Sequence, residues 1–274
     1  VDPFNGREHL EKGVLSTPLG PRTAFSEDPL RMLRAARFTA GYGLTPDEEV
    51  EEAITDIAER LAIVSKERIN DEMSKFLVVD KPGAGVSLLQ RTGLMKQIFP
   101  KASNFEVIRP DVLDLVQPDL VTRWASLLWP VAGNAELVRS LLSDLRVSKS
   151  ISSQVAGIVD ASQRLTQAVD VSPSSIRRAL HAIRPNTASA VALLEAYGQA
   201  PSDEVLVAMH RLEAEEGTQG FEVPLDGFEV AELIGKEGPD VGITLSRLME
   251  HRLDSGPLSK EEAIALVLDW KTKD

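Results

Sequence analysis

From Pro21 onward the chain carries helix-start and helix-stop signals at short intervals, and that punctuation leaves room for little but a helical fold. Ser26 is expected to cap a helix running through Leu30, Leu33, Arg34, Arg37 and Phe38, closed by Gly41 and Gly43. Thr45 and Glu48 read as a capping box with Pro46 at the first helical position. Val50, Ile54, Ile57 and Leu61 then follow at helical spacing. Ser65 opens a third helix with Ile69, Met73 and Phe76 inward, and a fourth covers 84–92 until Gly93 stops it.

Residues 100–120, punctuated by Pro100, Pro110 and Pro118, read as loop-rich. Helices resume over 120–128, 136–145, 150–169, 173–182 and 187–197 and after Pro201. Residues 213–225 read as an acidic loop, and helices opened by Pro239 and by a Ser259/Glu262 capping box finish the chain. Only residues 1–18, with turn signals and short apolar stretches, suggest one or two strands. The predicted fold class is mainly α, with a short β element at the N-terminus.

Composition narrows the function classes. The 274 residues include no cysteine, which excludes disulfides, thiolate metal sites and a cysteine nucleophile. No apolar run approaches the roughly 18 residues of a membrane helix, and no leader pattern is visible, so no membrane partner and a cytoplasmic location are expected. The net charge of −12 argues against indiscriminate nucleic-acid binding, which needs Lys and Arg to neutralise phosphates. The acid is concentrated over 203–240, whereas 22–37 is locally basic, with Arg22, Arg31, Arg34 and Arg37. An RNA partner has to meet a local basic face on an acidic protein.

The segment Glu27-Asp28-Pro29-Leu30-Arg31 carries the most chemical information. Asp28 and Arg31, three apart on the first turn of the expected helix, would share a face and offer a carboxylate acceptor beside a forked guanidinium donor. Cytosine and adenine both present an exocyclic amine next to a ring-nitrogen acceptor. Uracil and guanine present a carbonyl where that amine would be. One Asp/Arg pair is therefore able to favour C and A, since an unpaired buried polar group costs about 1–3 kcal/mol. The competing reading is an acidic first turn with an intrahelical ion pair.

The run Asp2-Pro3-Phe4-Asn5-Gly6, then Glu27 to Phe38 (EDPLRMLRAARF), then Ser65-Lys66-Glu67-Arg68-Ile69, resembles the bacterial class of tRNA CCA-adding nucleotidyltransferases and poly(A) polymerases. Leu89, Gly93-Leu94 and Phe99-Pro100 look like the end of that family's neck. Leu225-Asp226-Gly227, Gly238-Pro239, Gly242 and Gly256-Pro257-Leu258 look like its tail. The likeness is weakest over 101–224.

The resemblance implies a head that binds Mg²⁺ and transfers CMP or AMP, and a helical neck that reads the incoming CTP or ATP base. A body and tail would hold the tRNA. Carried over, Asp28 and Arg31, with Arg34 beside them, would read the base. Asp2 and Gly6 would belong to the hinge between head and neck, while Glu27, Arg37, Glu67 and Arg68 would support the neck.

The expected division is 1–20 head remnant and hinge, 21–100 neck, 101–200 body and 201–274 tail. The head's phosphate-gripping turn and metal carboxylates would lie before Val1, so the chain as given is expected to be inactive alone, and its β element to be a remnant of that head. A poly(A) polymerase portion and a headless RNA-binding module are the alternatives.

Two departures from the family pattern stand out. His9 stands where the family has an Asp and reads as an exposed loop histidine. Arg123-Trp124-Ala125-Ser126-Leu127-Leu128 is followed by Trp129-Pro130 where many relatives carry the His-Asp of a metal-dependent phosphohydrolase, so the body reads as degenerate and no metal site is expected. His181, His210 and His251 read as scattered surface residues. Trp124, Trp129 and Trp270 read as core rather than stacking platforms. Arg139, Arg146, Lys149, Arg177, Arg178 and Arg184 are the candidate RNA contacts of the body.

Overall fold

The computed structural model describes residues 2–167, 170–217 and 221–273. In chain order the helices are α1 (Gly6–Glu11), α2 (Pro21–Glu27), α3 (Leu30–Tyr42), α4 (Glu48–Ile57), α5 (Lys66–Leu77), α6 (Gly83–Arg91), α7 (Leu94–Ile98), α8 (Pro110–Leu115) and α9 (Leu120–Ala132). There follow α10 (Ala135–Asp144), α11 (Lys149–Thr166), α12 (Pro173–Ile183), α13 (Thr187–Ala196), α14 (Asp203–Glu216), α15 (Gly227–Ile234), α16 (Pro239–Ser255) and α17 (Lys260–Lys273). Short 3₁₀ turns cover Ala58–Ile63 and Phe105–Val107. Two strands, β1 (Val14–Leu15) and β2 (Thr45–Pro46), pair in parallel. The mainly α expectation is met.

Several boundaries differ from the sequence reading, each for a local reason. Ser26 lies inside α2 and caps nothing; the second helix starts only after Asp28-Pro29. A residue before proline is pushed out of the helical region, and Asp28 is extended at φ −140°, ψ 97°. Thr45 and Pro46 form β2, so the cap of α4 falls to Asp47, whose carboxylate accepts from the Val50 N–H at 2.8 Å. Residues 6–11 are helical, leaving one strand near the N-terminus. The loop-rich stretch holds α8, and α14 persists to Glu216 inside the expected acidic loop. Val169, the expected end of the 150–169 helix, lies outside the described residues. Ser65 and the Ser259/Glu262 box cap as expected.

The chain forms two compact units, Val1–Gln163 with Ala188–Gln199, and Arg164–Thr187 with Ala200–Asp274. These boundaries run differently from the expected division. One apolar core extends from Phe25 through Trp124 to Val159 and takes in Leu193 and Tyr197, with no break near residue 100.

At the centre of the first unit lies α3, packed on α5 and α6. Its buried residues Leu30, Met32, Leu33, Ala35, Ala36 and Thr39 are mostly small or flexible, which permits close approach. Gly85 of α6 makes that approach possible: a Cβ there would fall on the Ala36 carbonyl oxygen and 2.5 Å from the Phe76 ring. Trp124 is fully buried, edge-on to Phe99 at 6.1 Å, and Trp129 packs against the same core. Both are core residues, as the apolar spacing implies.

In the second unit α12 packs against α14 and α16, while α15, α16 and α17 enclose Val230, Leu248, Ala263 and Val267. A buried charge cluster fixes the first of these groups. Glu216 lies 2.9 Å from Arg177 and 2.7 Å from Arg252, all three side chains at 10% exposure or less. Trp270 packs on the α15–α17 core, and the Arg247 guanidinium lies 4.3 Å from its ring centroid.

Candidate nucleotide and RNA-binding site

The corner between α2 and α3 gathers charged side chains from four elements. Guanidinium groups reach the carbonyls of the last turns of α2, of which Ala24 O also accepts from the Asp28 N–H at 3.3 Å. Arg31 of α3 donates to Ala24 O at 3.1 Å, and Arg60 of the 58–63 turn donates to Ser26 O at 3.1 Å. Both cations lie at the negative end of the helix dipole, where they are stabilised.

Asp28 stands just before α3 rather than within its first turn, because Pro29 holds it extended, yet its carbonyl accepts from the Arg31 N–H at 3.0 Å and its carboxylate from the Leu30 N–H at 3.3 Å. The same carboxylate accepts from Arg68 of α5, whose Nη2 lies 3.2 and 3.1 Å from the two oxygens. Arg31 also pairs with Glu27 at 3.2 Å. The corner thus carries Glu27 and Asp28 against Arg31, Arg60 and Arg68. Asp28 and Arg31 remain open to a ligand, with side chains 32% and 46% exposed.

The other expected site residues are Arg34, Arg37, Asp2, Gly6 and Glu67. Arg34 is exposed one turn along α3 from Arg31, with its guanidinium 5.3 Å from the Phe38 ring. Arg37 turns inward and donates to the buried Glu72 of α5 at 2.6 Å, tying together the helices that carry Arg31 and Arg68. Asp2 and Gly6 sit away from the corner in a local turn. The Arg7 and Gly6 amides donate to the Asp2 carboxylate at 2.9 Å each and hold it below its ordinary range. Glu67 is exposed, 3.9 Å from Arg146.

Arg60 and Glu72 were not singled out in the sequence. Glu72 lies on the same helix as Ser65-Lys66-Glu67-Arg68, four residues beyond Arg68. An acid at an inward-facing position was the available signal.

His9 is a half-buried residue of α1, its Nδ1 2.6 Å from the Ser16 hydroxyl, rather than an exposed loop histidine. Among the body arginines, Arg177 is buried on Glu216, Arg184 pairs with Glu213, and Arg178 pairs with Glu250 and Asp254. All three are ion-paired within the second unit, Arg177 and Arg184 largely buried and Arg178 at the surface. Arg139, Arg146 and Lys149 are exposed. Pro130 lies within α9, and no group of three or more metal-capable side chains occurs among the described residues. No helix among those residues is long and apolar enough to cross a membrane.

The class the fold defines is a mainly α-helical protein with a charged corner where α2 meets α3. Residues 43–106 match the family described as a probable RNA- and SrmB-binding site of polymerase A. The chain is 29% identical over 204 residues to a CCA-adding enzyme of Lactiplantibacillus plantarum, covering 73% of this chain and 49% of that protein. It is 42% identical over 94 residues to a CCA-adding enzyme of a Geobacillus species, covering 34% of this chain and 23% of that protein. Its fold matches a solved Bacillus stearothermophilus CCA-adding enzyme in complex with CTP at a TM-score of 0.75 and 23% identity, over 100% of this chain and 69% of that one. The chain is thus similar in sequence and fold to bacterial CCA-adding enzymes, and it spans about half the length of the L. plantarum relative.

Proposed function

We propose that the chain is the base-reading and RNA-binding portion of a template-independent tRNA nucleotidyltransferase that adds C and A to the tRNA 3′ end. The observation that carries this reading is the α2–α3 corner. Arg68 fixes the Asp28 carboxylate from behind, Ala24 O and Glu27 fix Arg31, and both groups keep exposed edges. Asp28 would accept from the exocyclic amine of cytosine or adenine, and Arg31 would donate to the neighbouring ring nitrogen. Uracil and guanine would set a carbonyl against the carboxylate. A mismatch of about 1–3 kcal/mol corresponds to roughly 5- to 150-fold discrimination.

Relatives named as CCA-adding enzymes support tRNA, CTP and ATP as partners of the whole protein. On this reading Mg²⁺ and the transfer chemistry would belong to the head of the whole enzyme, and the present part would bind the base and the tRNA. A cytoplasmic location fits a tRNA substrate. The polymerase A family matched over 43–106 favours one second reading, a poly(A)-adding enzyme. Repeated ATP addition without CTP would identify it.

The test is Asp28→Ala in the whole enzyme. Primer extension should show UTP and GTP accepted at least several-fold more readily relative to CTP and ATP, with tRNA affinity little changed. Unaltered nucleotide preference would sink the base-reading assignment.

A further inference from the structure

Three residues other than glycine have positive φ among the described residues: Asn5, Asn104 and Arg146. Asparagine enters the left-handed region readily, whereas arginine does so at a cost. Arg146, at φ 60°, ends α10 in a closed C-terminal turn. Its N–H donates to Ser143 O at 2.9 Å, and the Val147 N–H donates to Leu142 O at 3.0 Å. The residue at that turn position is usually glycine, so an arginine there keeps a side chain at the expense of backbone ease. Strain of this kind is a pointer to function.

Local stability gives that side chain little employment. It is 68% exposed, and its one ion pair, to Glu67, is 3.9 Å long. Its position is informative. The Arg146 carbonyl accepts from Asn70 Nδ2 at 3.5 Å, seating the turn on the first turns of α5. The same turns carry Arg68, which holds Asp28. Arg68 and Arg146 thus flank Glu67, and Lys149 stands exposed at the start of α11, three residues beyond Arg146.

We infer that Arg146 binds a backbone phosphate of the RNA strand whose 3′ end is presented at the Asp28/Arg31 corner, displacing Glu67 as it does so. A guanidinium on a rigid turn matches a phosphate in fork geometry. Glu67 would hold Arg146 in place when RNA is absent and compete with RNA for it. The chemistry required is a phosphate, and two sources present one: the RNA strand and the triphosphate of the incoming nucleotide. The inference commits to the RNA. It rests on the proposed function for the identity of that strand.

The experiment is equilibrium binding of the 274-residue chain to a labelled tRNA ending before its 3′ CCA, across a salt series, with CTP titrated in parallel. Arg146→Gly should fold at least as stably as the unsubstituted chain, because glycine relieves the turn. It should bind tRNA roughly tenfold more weakly, with the slope of log K on log salt shallower by about 0.7–0.9. Arg146→Lys should retain most of the affinity, and Glu67→Gln should bind more tightly than the unsubstituted chain.

Equal affinity and equal salt slope for Arg146→Gly would overturn the inference while leaving base selection by Asp28 untouched. A loss confined to CTP would overturn it in favour of the triphosphate. No tRNA binding by the unsubstituted chain would overturn the RNA-binding reading itself.

Discussion

Replacing Arg37 by alanine should do more damage than its place on a charged-looking helix suggests. The Glu72 carboxylate beneath it is 3% exposed, and the Arg37 guanidinium 2.6 Å away, itself 19% exposed, is its cationic partner. Removing one partner of a buried pair strands the other charge and costs about 3–5 kcal/mol. With a urea m-value of about 2 kcal/mol/M, the unfolding midpoint should fall by about 1.5–2.5 M. Two of the three tryptophans, Trp124 and Trp129, lie in the first unit, so fluorescence in a Trp270→Phe background reports that unit.

The double replacement Arg37→Met with Glu72→Leu should recover most of the loss, because an apolar pair of similar volume needs no desolvated charge. A loss below about 1 kcal/mol for Arg37→Ala at unchanged m would refute the reasoning, since it would mean that water reaches Glu72 freely. The pair joins α3 to α5, so the same variant should loosen the hold of Arg68 on Asp28.

Gly85→Ala should lower the melting temperature of the first unit through a backbone clash worth about 1–3 kcal/mol. Gly242→Ala, where a Cβ meets nothing within 4 Å, should be neutral or stabilising by up to about 1 kcal/mol in the same thermal scan. The Arg91 guanidinium, hydrogen-bonded to Glu51, holds that carboxyl below its ordinary value of 4.5. A depressed carboxyl stabilises the fold above its unfolded value and loses that contribution as pH falls through the folded one. Glu51→Gln should therefore flatten the acid limb of stability against pH, by no more than about 1 kcal/mol because the carboxylate is 31% exposed. Glu216→Ala strands two buried guanidinium groups, so amide exchange in α12, α14 and α16 should accelerate roughly a hundredfold or more.

Much of the helical order was legible because capping and periodicity are local. Ser65, Gly93 and the Ser259/Glu262 box work within a few residues of themselves, and the structure uses them as written. Pro29 is an equally local signal that the expected Ser26-capped helix overlooks: its restriction on Asp28 is a property of two adjacent residues, and it overrides the capping tendency of Ser26. Thr45 was misread because its partner, Val14, lies 31 positions upstream, and the sequence contains nothing local that announces such a pairing.

The site divides along the same line. The identities of Asp28 and Arg31, and with them the chemistry of an acceptor beside a forked donor, stand in the sequence. What holds each group does not. Asp28 is fixed by Arg68, 40 residues away; Arg37 is tied to Glu72 over 35; and Arg146 is seated against Asn70 over 76. Short-range preferences choose where the backbone turns, whereas ion pairing between helices depends on which faces the apolar core brings together. Only the packed chain decides which arginine anchors a carboxylate, which is buried, and which is left facing solvent with its charge available.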